Sequence, residues 1–119
     1  MNSICNAQIE GGWDAGGKGV SIWDTFTQLE GTIADGSDGK TACDSYSNYE
    51  EDARLIGEMG ATHYRFSISW TRILPLGVGE ENPEGIQYYK NVIAALKARG
   101  ITPVVTLYHW DLPQGTLYI

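Results

Sequence analysis

The feature that most constrains this chain is a unit that occurs twice at the same spacing. A helical pattern ending at a glycine is followed by a strand pattern ending at a tryptophan. Gly60 and Gly100 lie 40 residues apart, as do Trp70 and Trp110. From Asp44 to Gly60 the apolar positions Tyr46, Tyr49, Ala53 and Ile56 recur at helical spacing. Asp44 or Ser47 can cap this helix, Ser47 and Glu50 fit a capping box, and Gly60 can end it in a left-handed conformation. Thr62–Trp70 then alternates: Tyr64, Phe66, Ile68 and Trp70 against Arg65, Ser67 and Ser69, the period of a strand. In the second unit Asn82 caps and Pro83 takes the first helical position. Ile86, Tyr89, Ile93 and Leu96 form its stripe, and Thr102–Trp110 reads as a nearly continuous buried strand.

Helix-then-strand units in series predict a parallel α/β fold. Two to three such units cannot cover both faces of a parallel sheet. Closure into a barrel takes eight strands and about 250 residues. The 119 residues are therefore expected to be a single incomplete domain, the opening two to three βα units of a (β/α)8 barrel. The first 43 residues, with GGWDAGGKG and DGSDGK, read as loops.

Composition removes several classes of function. A hydrophobic fraction of 42% argues against disorder, and a formal net charge of −7 argues against nucleic-acid binding. No apolar run approaches the roughly 18 residues of a membrane span. No basic segment followed by an apolar stretch opens the chain, so no secretory signal is visible and the compartment stays open. Cys5 and Cys43 cannot make a disulfide scaffold or a cysteine zinc site. Gly12–Lys18 has the letters of a phosphate loop, but Gly19 stands where a Ser or Thr is needed and no apolar strand precedes it. Neither a metal nor a cofactor is expected.

Two places could carry chemistry. If the apolar side of Thr62–Trp70 packs outward on helices, Arg65 points into the barrel and calls for an acidic partner there. An edge strand with Arg65 in solvent is the other reading. His109 and Trp110 fall at the C-terminal end of the last strand, where barrel enzymes build their sites. A hydrogen-bonding group beside a flat apolar face suits a sugar. The same pair also reads as a satisfied strand-end histidine and a core tryptophan.

The segments QIEGGWD (Gln8–Asp14), GKGVSIWDTF (Gly17–Phe26), YRFSISWTRILPLG (Tyr64–Gly77) and VTLYHWDLPQ (Val105–Gln114), with the linking helices, together resemble glycoside hydrolase family 1, the retaining β-glucosidases. The resemblance implies an O-glycosyl hydrolase acting on β-glycosides. Gln8 and His109 would hydrogen-bond the terminal sugar, Trp110 would line its pocket, and Arg65 would contact the nucleophilic glutamate. Retaining enzymes use two carboxylates about 5–5.5 Å apart. In the family these sit in TxNEP-like and TENG-like motifs, and neither occurs here. No residue of this chain is therefore assigned as catalytic. The chain is expected to carry part of the sugar pocket and to be inactive alone. The alternative is a non-catalytic interaction protein, klotho-like or a truncated isoform. Ala7 stands at a family aromatic position and Ser45 at a common histidine. After Gln114 the tail GTLYI leaves the pattern, as a truncation, alternative exon or gene-model end would. Tyr64–Trp70 and Val104–Trp110 are the segments expected to aggregate.

Overall fold

The computed structural model describes residues 3–4 and 9–116. In order these hold β1 (Ser3–Ile4), α1 (Ile22–Gln28), α2 (Ser45–Glu58), β2 (His63–Ser67), α3 (Trp70–Ile73), α4 (Pro83–Ala98), β3 (Thr102–Thr106) and a 3-10 turn, Gln114–Thr116. The strands form one parallel sheet in the order β1-β2-β3, with Arg65 opposite both Ser3 and Val104. Parallel neighbours joined by helices make this a sector of a (β/α)8 barrel.

The helix boundaries follow the residues that set them. Asn82 accepts the Glu84 N–H at the start of α4, with Pro83 in the first turn. Gly60 and Gly100 follow the two long helices at φ 75° and 71°. Asp44 stands at the N-cap position of α2 in a left-handed conformation, but its carboxylate accepts the Ser47 hydroxyl (2.9 Å) and caps no backbone N–H. The Ser47–Glu50 capping box is not formed, because Ser47 already lies inside the helix. Tyr46, Tyr49, Ala53 and Ile56 do face the core. On α4 the buried stripe runs through Gly85, Tyr88, Tyr89 and Leu96, with Ile93 on its margin. Gly85 brings the helix against the Arg72 carbonyl, where an added Cβ would sit 2.1 Å away.

The core lies between the sheet and α2 and α4. Tyr64 and Phe66 enter it from β2 and meet Tyr88, Tyr89, Leu96 and Ile101. Phe66 stacks on Tyr89 with centroids 6.3 Å apart. Arg65 takes the opposite face, as a period of two requires.

Three expectations are corrected. The expected strand Thr62–Trp70 stops at Ser67. The Ile68 N–H still reaches Thr106, but the next two amides go to the Tyr89 hydroxyl and the Asp111 carboxylate, which ends the ladder and opens α3. Trp70 therefore leaves the apolar face. Its indole donates to the Gly77 carbonyl (3.0 Å). The expected buried strand Thr102–Trp110 stops at Thr106 and is only half covered, with Leu107 77% exposed. It is the edge of the described sheet. The first 43 residues are not all loop, since α1 forms there. Ser21 caps it in a reciprocal box with Asp24.

Candidate active site

Beyond the C-terminal ends of β2 and β3 the chain from Leu107 to Asp111 turns over the sheet. Asp111, 2% exposed, organises it. Its Oδ2 accepts the Trp70 N–H (2.9 Å) and its Oδ1 the His109 N–H (3.4 Å). Trp110, between them, takes φ 71°, a region that bulky residues rarely enter. Helix α1 closes the turn from the other side. The Trp23 indole donates to the Trp110 carbonyl (2.7 Å) and the Ile22 N–H to Leu112 (2.9 Å). The Gln114 N–H reaches Val20 in return (2.9 Å).

The result is a cavity of about 410 Å³ with Trp13, Trp23, Ser69, His109, Trp110 and Asp111 in its wall. Trp110 is 71% exposed, so its ring is open to a ligand. His109 and Trp110 are thus brought to one cavity at the barrel's C-terminal end. Arg65 is not in its wall among the described residues. It lies mid-strand, half-buried, with its Nε–H on the Thr106 hydroxyl (2.9 Å). Gln8 lies outside the described residues.

One buried pair was not foreseen. Arg72, 0% exposed, sits beneath the cavity with its Nε on Glu10 Oε1. Its other nitrogens donate to the carbonyls of Ala15 (3.0 Å), Gly12 (3.1 Å) and Gly11 (3.3 Å). The Tyr46 ring lies 4.2 Å below the guanidinium. Tyr89 donates to Glu10 Oε2 (2.7 Å). Burial pushes the Glu10 carboxyl above the usual carboxylate range, against the pull of Arg72 and the Tyr89 hydrogen bond. Desolvation pulls Arg72 down, but the Glu10 charge and hydrogen bond, with Tyr89 and Tyr46, together raise it above the usual range. Both charges stand in the motif segments, but nothing in their spacing pairs them. The usable signal was an arginine two residues past a strand end, with no solvated face to occupy.

Three carboxylates border the cavity, and each is committed. Glu10 is held by Arg72 and Tyr89. Asp24 accepts from Lys18 (2.7 Å) and from the Ser21 backbone and hydroxyl (2.8 Å each). Asp111 is held by two backbone amides. The rest of the wall holds the His109 imidazole and the indoles of Trp13, Trp23 and Trp110.

A barrel sector with an aromatic-walled cavity at its C-terminal rim is the place and kind of site that (β/α)8 enzymes build. The comparisons with known proteins give the class its name. The profile of Glycosyl hydrolase family 1 matches residues 2–117, and the chain belongs to that family. It is 60% identical over 108 residues to "Beta-glucosidase 42" of Arabidopsis thaliana, covering 90% of this chain and 22% of the relative. It is 53% identical over 109 residues to the human "Cytosolic beta-glucosidase", covering 90% and 23%. The rice Os3BGlu6 β-glucosidase, solved in a covalent complex with Glc, superimposes with a TM-score of 0.94 at 49% identity, over 96% of this chain and 24% of that one. A Thermotoga maritima β-glucosidase in complex with glucoimidazole gives 0.93 at 47%, over 95% and 26%. The chain therefore spans about a fifth to a quarter of the relatives it matches.

Proposed function

We propose that this chain forms one wall of the sugar pocket of a retaining β-glucosidase that acts on β-glycosides. His109 donates or accepts a hydrogen bond at a sugar hydroxyl, and the open face of Trp110 covers an apolar sugar face. Gln8 adds a second hydroxyl contact. Arg65 acts on the nucleophilic glutamate, which other polypeptide supplies. The observation that carries this reading is the convergence of His109 and Trp110 on one cavity at the strand ends. The commitment of all three bordering carboxylates supports a binding role without chemistry. The chain alone then lacks both the acid and the nucleophile and leaves β-glycosides intact.

The test is a graft. This chain replaces the corresponding quarter of the Thermotoga maritima enzyme, and hydrolysis of a nitrophenyl β-glucoside is followed. The graft is expected to turn over, and His109→Ala to lower its kcat/KM about 10- to 100-fold by loss of a hydrogen bond to a charge-developing substrate. Full activity of the His109→Ala graft, or enzyme-like turnover by the isolated chain, would refute the reading.

The open outer edge of β3 favours a second reading, association with another polypeptide. A monomer in sedimentation that melts in one cooperative step would count against it.

A further inference from the structure

We infer that Trp23 is a positioning residue for the sugar-facing turn, acting through the backbone of Trp110. This inference rests on the sugar reading of His109 and Trp110 and adds a residue to it.

Three independent features meet at one peptide. Trp110 holds a positive φ of 71°, which a bulky side chain adopts only where its surroundings over-determine it. Its carbonyl accepts the Trp23 indole N–H at 2.7 Å, across 87 residues of sequence. Helix α1, which carries Trp23, buries none of its own residues. It is nevertheless anchored to the same turn by the amide of Ile22 on Leu112 and the pairing of Ser21 with Pro113.

A helix with half-buried but no fully buried side chains has little reason to be ordered for the sake of the core. The Trp23 indole N–H fixes the peptide that joins Trp110 to Asp111. Asp111 fixes the other side by holding the amides of Trp70 and His109. Between these two clamps the backbone has no freedom to leave the left-handed region, and the side chains of His109 and Trp110 project from it at set angles. Without the Trp23 donor the turn has a lower-energy escape, in which Trp110 returns to negative φ and the His109 ring swings with it. The indole does this without touching the sugar. It shares the cavity wall, but its N–H is spent on the carbonyl.

The experiment uses the whole 119-residue chain and amide hydrogen exchange. Trp23→Phe keeps an aromatic ring and removes the donor. Exchange at the Trp70 and Gln114 amides, which donate to Asp111 and Val20, is expected to quicken about three- to tenfold, the range of one hydrogen bond. The amides of Tyr89 and Leu96 in the core should stay within twofold. Adding Trp110→Gly to Trp23→Phe removes the steric reason for the clamp and should bring the turn back to wild-type exchange. In the wild-type chain the Trp23 indole proton should exchange slowly although the residue is 41% exposed. Unchanged exchange at the turn in Trp23→Phe, no recovery with Trp110→Gly, or a fast indole proton overturns the inference.

In the graft, Trp23→Phe should lower kcat/KM about three- to tenfold, with the melting temperature within about 2 °C. If His109→Ala is silent there, the sugar reading has failed and the turn data still judge Trp23. If His109→Ala is damaging and Trp23→Phe is silent, the positioning role has failed alone.

Discussion

Replacing Arg72 by methionine tests the centre of the structure. The guanidinium is fully buried, pairs with Glu10, and donates to three loop carbonyls. Methionine fills a similar length without charge. It leaves a carboxylate with burial as its dominant influence and the Tyr89 hydroxyl as its remaining hydrogen bond. Removing one partner of a buried pair costs about 3–5 kcal/mol. The Ala15, Gly11 and Gly12 carbonyls line a loop beside the cavity, so water replaces part of what they lose. A complete domain of 119 residues would hold at least roughly 6 kcal/mol, and a single barrel sector holds no more than the low end of that range. The variant should therefore forfeit a large share of its stability and shift the urea midpoint by about 2 M, for a slope of about 2 kcal/mol per molar.

The loss should also depend on pH in a fixed direction. Glu10 already has a raised carboxyl in the folded chain, and losing Arg72 raises it further. A raised carboxyl contributes stability that is fully present below the unfolded value and is lost as pH rises through the folded one. The deficit of Arg72→Met should thus grow as the pH rises from the raised Glu10 value of the wild-type fold to its still higher value in the variant, by no more than about 1.4 kcal/mol per pH unit, and shrink on acidification. Glu10→Gln combined with Arg72→Met removes both charges and should recover most of the loss at neutral pH. Urea titrations of wild type and the two variants at a series of pH values provide the check. A deficit under 1 kcal/mol, or one that grows as the pH falls, would refute the argument.

Other expectations are simpler. Gly85→Ala gains about 1 kcal/mol of helix propensity but places a Cβ 2.1 Å from the Arg72 carbonyl, so a net loss of about 1–3 kcal/mol is expected in urea titration. Asn82→Ala removes the cap of α4 and two donations, to Gly16 (2.6 Å) and Arg72 (3.0 Å), and should cost about 2–3 kcal/mol. Asn82→Asp keeps the cap acceptor and loses both donations, so its melting temperature should fall between wild type and Asn82→Ala. Leu107→Lys, at a 77% exposed position, should leave the urea midpoint nearly unchanged and slow aggregation measured by light scattering.

What could be read from the sequence was what local chemistry decides. The helix starting at Asn82 and Pro83, the glycine stops and the tyrosine face of β2 depend on neighbours three or four residues away, and all are present. The parallel sheet followed from the order of the units. The ends of both long strands were misjudged because those ends are set from far off. Tyr89 and Asp111 capture the amides of Ser69 and Trp70 across 20 and 41 residues, and no alternation of Tyr64–Trp70 records that. The same reason hid the pairing of Glu10 with Arg72, 62 residues apart. It also hid the Trp23 donation to Trp110. Apolar periodicity reports which face is covered, whereas a charge or an indole inside a motif segment reports only that something must meet it. His109 and Trp110 could be placed because position at a strand end in a parallel α/β fold already implies the rim. The devices that aim them act through backbone amides and carbonyls, which every residue possesses and no sequence pattern marks. Substitutions at Trp23 and Asp111 should therefore change function through the backbone of the turn, with the His109 and Trp110 side chains untouched.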